Sequence, residues 1–152
     1  MMIANTISKR KSEFGRIMFR KNFDKVIAES LAIYVKKLND ENSNGALVVV
    51  EGLRDYRSLR SIGFLGNIFM FCNKNNLLRL VEESKKYRKV ILLFDLDREG
   101  RSLTNRTITM LEAIRIPVDL FFRRELISTT RGKVRHVEEL SRFKEYLEPL
   151  LD

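Results

Sequence analysis

Val90-Ile91-Leu92-Leu93-Phe94-Asp95-Leu96-Asp97-Arg98-Glu99-Gly100 is the stretch that decides the fold. Its first half is apolar without interruption, as a strand covered on both faces must be. Its second half places carboxylates at every second residue, Asp95, Asp97 and Glu99, where that strand should end. An earlier run, Ala46-Leu47-Val48-Val49-Val50, ends the same way on Glu51-Gly52. Two such strands side by side aim several acids at one crevice, where they repel unless cations neutralise them. Oxygen donors of this kind select Mg²⁺ or Mn²⁺ over softer ions.

Working outward, apolar runs alternate with stretches of helical period. Strands are expected at 46–51, 67–72, 89–95 and 117–123, and helices at 55–62, 76–87, 103–115 and 137–148. The pattern predicts an α/β fold of Rossmann-like type, a mainly parallel sheet of about four strands with helices on both faces. Pro117 ends one helix and opens the fourth strand. Phe69, Phe71, Phe121 and Phe122 are read as core residues of strands, and Thr129, Thr130 and Gly132 as a turn.

Before the sheet, Phe23, Ile27, Leu31, Tyr34 and Leu38 recur at three and four, the stripe of an amphipathic helix. The polar run from Asn39 to Gly45 is expected to end it. Residues 1–20 show no convincing period and are read as a mobile basic arm. The expected organisation is an arm and helix over 1–44, a core over 45–125 and a C-terminal segment with a packing helix over 126–152.

A chain of 152 residues, 44% apolar and 32% charged, is that of a soluble globular domain. It has no apolar stretch of membrane-spanning length and no secretory leader after Met1, so a cytoplasmic location is expected. The single cysteine, Cys72, makes no internal disulfide and is read as buried filler. The net charge is +9. Residues 1–25 carry Lys9, Arg10, Lys11, Arg16, Arg20, Lys21 and Lys25 against Glu13 and Asp24. A second basic cluster runs through Arg115, Arg123, Arg124, Arg131, Lys133 and Arg135. Such excess suits a polyanionic partner, RNA or DNA.

In an open parallel sheet ligands bind beyond the carboxyl ends of the strands, and Glu51 and Asp95 both fall on that edge. Gly52 and Gly100 then mark turns where the backbone approaches a phosphate closely. A helix starting after Gly100 presents its N–H groups to the same phosphate. Arg98 and Arg101 can hold phosphate oxygens through charge-assisted forks. The plainer reading makes Asp95 and Asp97 loop acids that cap the next helix and pair with Arg98 and Arg101. Against it stand the buried strand before them, Glu99 in register and the matching Glu51-Gly52.

The segments Val50-Glu51-Gly52-Leu53-Arg54-Asp55 and Phe94-Asp95-Leu96-Asp97-Arg98-Glu99-Gly100 together resemble the two acidic motifs of the Toprim domain, over roughly residues 45–125. That family includes type IA and type II topoisomerases, bacterial-type primases, the 5S ribosomal RNA maturation nuclease and small standalone proteins. The resemblance implies that Glu51 is a general acid or base and that Asp95 and Asp97 bind Mg²⁺. It counts Glu51 and Glu99 as further acids of the metal site, and Asp55 as a common acidic position that also serves as a plain helix cap. Phosphate or nucleic-acid contacts are expected of Arg54, Gly52, Gly100, Arg98, Arg101, Arg124, Lys133 and Arg135.

Departures narrow the class. Tyr34, Tyr56, Tyr87 and Tyr146 read as helix residues and not as a topoisomerase nucleophile. One cysteine and one histidine cannot build a primase zinc module, and no phosphate loop of the ATPase type is present. A standalone Toprim protein remains, acting as a Mg²⁺-dependent nuclease or RNA-processing enzyme, or as a nucleic-acid-binding adaptor of a larger complex. A protein partner on the N-terminal helix and a homodimer are both compatible with this reading. A phosphoaspartate phosphatase also places Asp-x-Asp after a strand, but it leaves Glu51 without a task. His136 is read as a surface residue at a helix start.

Overall fold

The computed structural model describes residues 2–72 and 76–151, residues 2–4 by their backbone alone. A parallel sheet of order β2-β1-β3-β4 is built from β1 (Ala46–Val50), β2 (Ile68–Met70), β3 (Lys89–Leu92) and β4 (Val118–Asp119). Between them run α2 (Leu53–Ser61), α3 (Leu77–Ser84) and α4 (Arg98–Ala113). A long α1 (Met2–Ser43) precedes the sheet, and α5 (Phe121–Thr129), a 3₁₀ segment Val137–Phe143, α6 (Lys144–Leu147) and a short 3₁₀ turn Glu148–Leu150 follow it.

The unbroken apolar character of β1 and β3 has a direct cause. Ala46, Val48, Val50, Ile91 and Leu93 enter one core with the second half of α1, α5 and the C-terminal segment. Leu47, Val49, Val90, Leu92 and Phe94 enter a second core under α3 and α4. A strand between two dry layers has no polar face to offer.

Several expected boundaries shift. The fourth strand is only two residues long, and the chain turns at Leu120 into α5, because Asp119 accepts the Phe121 N–H at 2.7 Å and starts a helix. Phe121 consequently lies exposed on α5, while Phe122 is buried. The polar run 39–43 does not end α1. Asn39 and Asn42 stay helical and spend their amides on Gly63, Leu65 and Ala46. The segment expected as a helix at 137–148 is wound mainly as 3₁₀ turns. Tyr87 lies in the turn after α3 and not within a helix.

The basic arm is also corrected: from residue 5 onward it is the first part of α1, continuous with the amphipathic helix. Residues 5–22 are exposed throughout, whereas Ile27, Leu31, Tyr34 and Leu38 are buried in the core. Cys72 is exposed and adopts φ +60°, so it is not buried filler. Among the described residues no helix is long and apolar enough to cross a membrane.

Candidate active site

The register Val49↔Leu92, continued by the bond from Leu93 N–H to the Val49 carbonyl, runs β1 and β3 out together at their carboxyl ends. Glu51 and Asp95 therefore meet. The Glu51 Oε1 accepts the Asp95 N–H at 3.1 Å, although the two are far apart in the chain. Partial burial pushes the Glu51 carboxyl above its ordinary range, with the negative charge of Asp95 adding to the shift and the Asp95 N–H opposing it. Asp55 is raised chiefly by burial and accepts the Gly52 N–H at 3.1 Å, so its carboxylate satisfies a free backbone donor at the start of α2.

Asp97 takes a different role. It is the N-cap of α4, and its Oδ1 accepts the Gly100 N–H at 2.7 Å. The capping half of the plainer reading thus holds for Asp97, and the ion-pairing half does not: among the described residues Arg98 and Arg101 make no salt bridge. The helix begins at Arg98, earlier than expected, which places Gly100 inside its first turn. Gly100 is needed there for packing. A Cβ at this position would lie 1.9 Å from the Asp95 carbonyl oxygen, so no side chain fits between α4 and the acidic loop. Gly52 is different, since a Cβ there would meet open space.

Two side chains that the sequence did not single out for the site complete its rear wall. Arg123, read as part of a basic surface cluster, is 3% exposed. Its Nε donates to the Phe94 carbonyl at 2.7 Å and its Nη2 to the Arg135 carbonyl at 2.6 Å, while its Nη1 is buried without a partner. Burial lowers its pKa, against the pull of Asp95, Tyr34, Glu51 and Asp55. This clamp holds the segment before the 3₁₀ turn across the end of β3. His136, on that segment, lies with Nδ1 3.2 Å from the Asp95 Oδ1. It does start a helical turn as expected, but it faces the acids, and its pKa is raised first by the hydrogen bond to Asp95. A sequence signal existed for Arg123. Read as a helix, 121–129 groups Arg123 with Leu126 and Thr130, all buried.

The remaining expected contacts scatter. Arg98 and Glu99 line a cavity beside Glu51. Arg54, Arg101, Arg124 and Arg135 are exposed, and Arg54 lies 4.0 Å from Glu138. Lys133 is drawn to α1, with Nζ 3.9 Å from Asp24 and 4.8 Å from the centre of the Phe23 ring.

All the acids supply hard oxygen donors, the type that Mg²⁺ or Mn²⁺ prefers. Among the described residues no three Asp, Glu, His or Cys side chains are gathered closely enough to enclose an ion by themselves. Mg²⁺ asks for less, since it keeps several waters and is bound by one or two carboxylates together with substrate phosphates. The second oxygens of Glu51, Asp95 and Asp97 accept no hydrogen bond from the described residues, so the donor set fits such an ion.

The sheet order, the paired strand ends and the acidic crevice together define a class, the Toprim domain, whose family model matches residues 46–144. The chain belongs to the Toprim family. More particularly, it is 34% identical over 111 residues to a UPF0292 protein of Archaeoglobus fulgidus, a match covering 73% of this chain and 86% of that one. A UPF0292 protein of Thermococcus gammatolerans is 36% identical over 96 residues, covering 63% and 71% respectively. Among solved structures, a putative protein from Aquifex aeolicus superposes with a TM-score of 0.61 at 28% identity, over 72% of this chain and 96% of that one. The chain is therefore similar to small standalone Toprim proteins.

Proposed function

We propose that this protein carries out Mg²⁺- or Mn²⁺-dependent phosphodiester chemistry on RNA or DNA, most simply as a nuclease. The observation that carries the reading is the meeting of Glu51 with Asp95 at the strand ends, with the Glu51 carboxyl shifted toward its protonated form. A carboxyl whose pKa is raised toward neutrality exchanges protons with a reacting oxygen more effectively than an ordinary one. Glu51 is accordingly assigned the proton transfer. Asp95 and Asp97 would hold the ion, which when bound offsets charge on the attacked phosphate.

The protein's own cations orient the strand. Arg98 and Arg101 stand in the first turn of α4, where the helix dipole and the exposed guanidiniums favour phosphate. Arg54, Arg124 and Arg135 extend the basic surface, as does the exposed first half of α1. A cytoplasmic setting, where such substrates and Mg²⁺ occur together, accords with this. One observation favours a second reading, a binding protein without turnover: Asp97 already caps its own helix, and no ready-made enclosure for an ion exists among the described residues. In that case a protein partner or a second copy would dock on α1.

Labelled single- and double-stranded RNA and DNA, incubated with Mg²⁺ or Mn²⁺, separate the two readings. Glu51→Gln and Asp95→Asn should each lower turnover by about 10²-fold or more while binding persists, and chelation should abolish it. Equal turnover by wild type and both variants would sink the catalytic reading; binding without turnover by wild type would leave the adaptor.

A further inference from the structure

A cavity of about 470 Å³ opens beside Glu51, between the end of β2 and the outer face of α4. Its α4 wall is a stripe at helical spacing, Arg98, Ser102 and Arg106, with Leu103 on the neighbouring ridge. Its inner side is Phe71 and Cys72. Arg106 is exposed and, like Arg98, makes no ion pair among the described residues.

We propose that this cavity is a nucleotide pocket: it takes one unpaired nucleotide of the strand, next to the phosphodiester that faces Glu51. This rests on the function proposed above and names its substrate class, nucleic acid with an unstacked residue. A volume in this range suits one small-molecule-sized ligand, here a single nucleotide. The lining has both chemistries such a ligand needs. Phe71, Leu103 and Cys72 give an apolar seat for a base. Arg98 and Arg106, eight residues and so about 12 Å apart along the helix, reach phosphate oxygens on either side of a nucleoside. A guanidinium plane also stacks on a base. Glu99, on the same lining, accepts from a ribose hydroxyl or a base N–H. A base within a duplex cannot enter without leaving its stack, which mismatched or single-stranded residues do most readily.

The test begins without metal, so that turnover plays no part. Wild-type protein is titrated with AMP, GMP, CMP and UMP, and separately with inorganic phosphate, following amide shifts of α4 by NMR. The nucleotides should bind at least about tenfold tighter than phosphate, and Arg106→Ala should weaken them about tenfold, the loss of one charge-assisted contact. Ser102→Trp, a substitution at an exposed position, should fill the cavity and abolish binding while thermal unfolding stays unchanged. Nucleotides binding no better than phosphate, or equally to Ser102→Trp, would overturn the proposal.

A second arm adds Mg²⁺ and compares a blunt duplex with the same duplex carrying one unpaired nucleotide. Wild type should prefer the unpaired substrate, and Ser102→Trp should lose that preference. Cleavage of both alike, indifferent to Ser102→Trp, rejects the pocket and leaves the nuclease; nucleotide binding with no cleavage of either rejects the nuclease and leaves the pocket.

Discussion

Glu51 and Asp95, separated by 44 positions, touch, whereas Asp95 and Asp97, separated by two, are put to different uses. The acid crevice therefore has two unlike banks. On the sheet bank, Glu51 and Asp95 are fixed by neighbouring strands, partly desolvated, coupled to one another and backed by Arg123 and His136. On the helix bank, Asp97 and Glu99 sit exposed at the start of α4, one as its N-cap and the other in its first turn, facing a cavity. Pairing across a parallel sheet sets distances rigidly, while alternation along one strand sets them only as far as the strand continues. Here β3 ends at Leu92, and the alternation that seemed to unite Asp95, Asp97 and Glu99 is broken by the helix that follows.

The comparison can be broken most forcefully from behind the sheet bank. Arg123→Met should lower stability by about 3 kcal/mol, because it leaves the buried Phe94 carbonyl without a donor and releases the part-buried Arg135 carbonyl. Chemical denaturation measures this, and an unchanged midpoint would show that the rear wall is not held by Arg123. Next comes the junction between the banks. Alanine normally improves a helix over glycine by about 1 kcal/mol. Gly100→Ala should instead destabilise by about 2 kcal/mol, since the added methyl collides with the Asp95 carbonyl. A gain in melting temperature would mean that the banks are not in contact.

A smaller effect isolates the helix bank. Asp97→Ala should cost about 1 kcal/mol through loss of the cap, and Asp97→Asn only a few tenths, because asparagine caps as well. Comparable losses for both would argue that the charge and not the cap matters. The smallest effect sharpens the sheet bank. A carboxyl whose folded pKa is raised contributes stability below its unfolded value, 4.5, and loses it as pH rises through the folded value. Glu51→Gln lacks that loss. It should match wild type near pH 4 and be slightly more stable at pH 7, and Mg²⁺ should narrow the difference by favouring the charged form. A less stable Glu51→Gln at neutral pH would contradict the sign.

Much of this was legible in the sequence for simple reasons. Runs such as Val48-Val49-Val50 and Ile91-Leu92-Leu93 can only be strands between two apolar layers, and acids at the ends of such strands can only gather at one edge. The fourth strand was misjudged because Phe121 and Phe122 carry strand-like bulk while a side chain, Asp119, dictates the turn. His136 was passed over because its signal is not local, and Arg123 because its period emerges only once 121–129 is read as a helix. Each is defined by a partner in another element, Asp95 for one and the Phe94 carbonyl for the other, and beside other cations an arginine reads as surface. The helical state of residues 5–22 escaped as well, since period finding relies on burial and these residues have none.

That last segment carries a mechanical consequence. Starting a helix in water is unfavourable, and short isolated helices are marginal. In α1 the start is already secured, because Ile27, Leu31 and Leu38 lock the downstream turns into the core. Residues 5–22 thus extend as a rod about 27 Å long, aimed by the body of the protein. A ligand gripping that rod meets a shape set in advance and loses little affinity to ordering it.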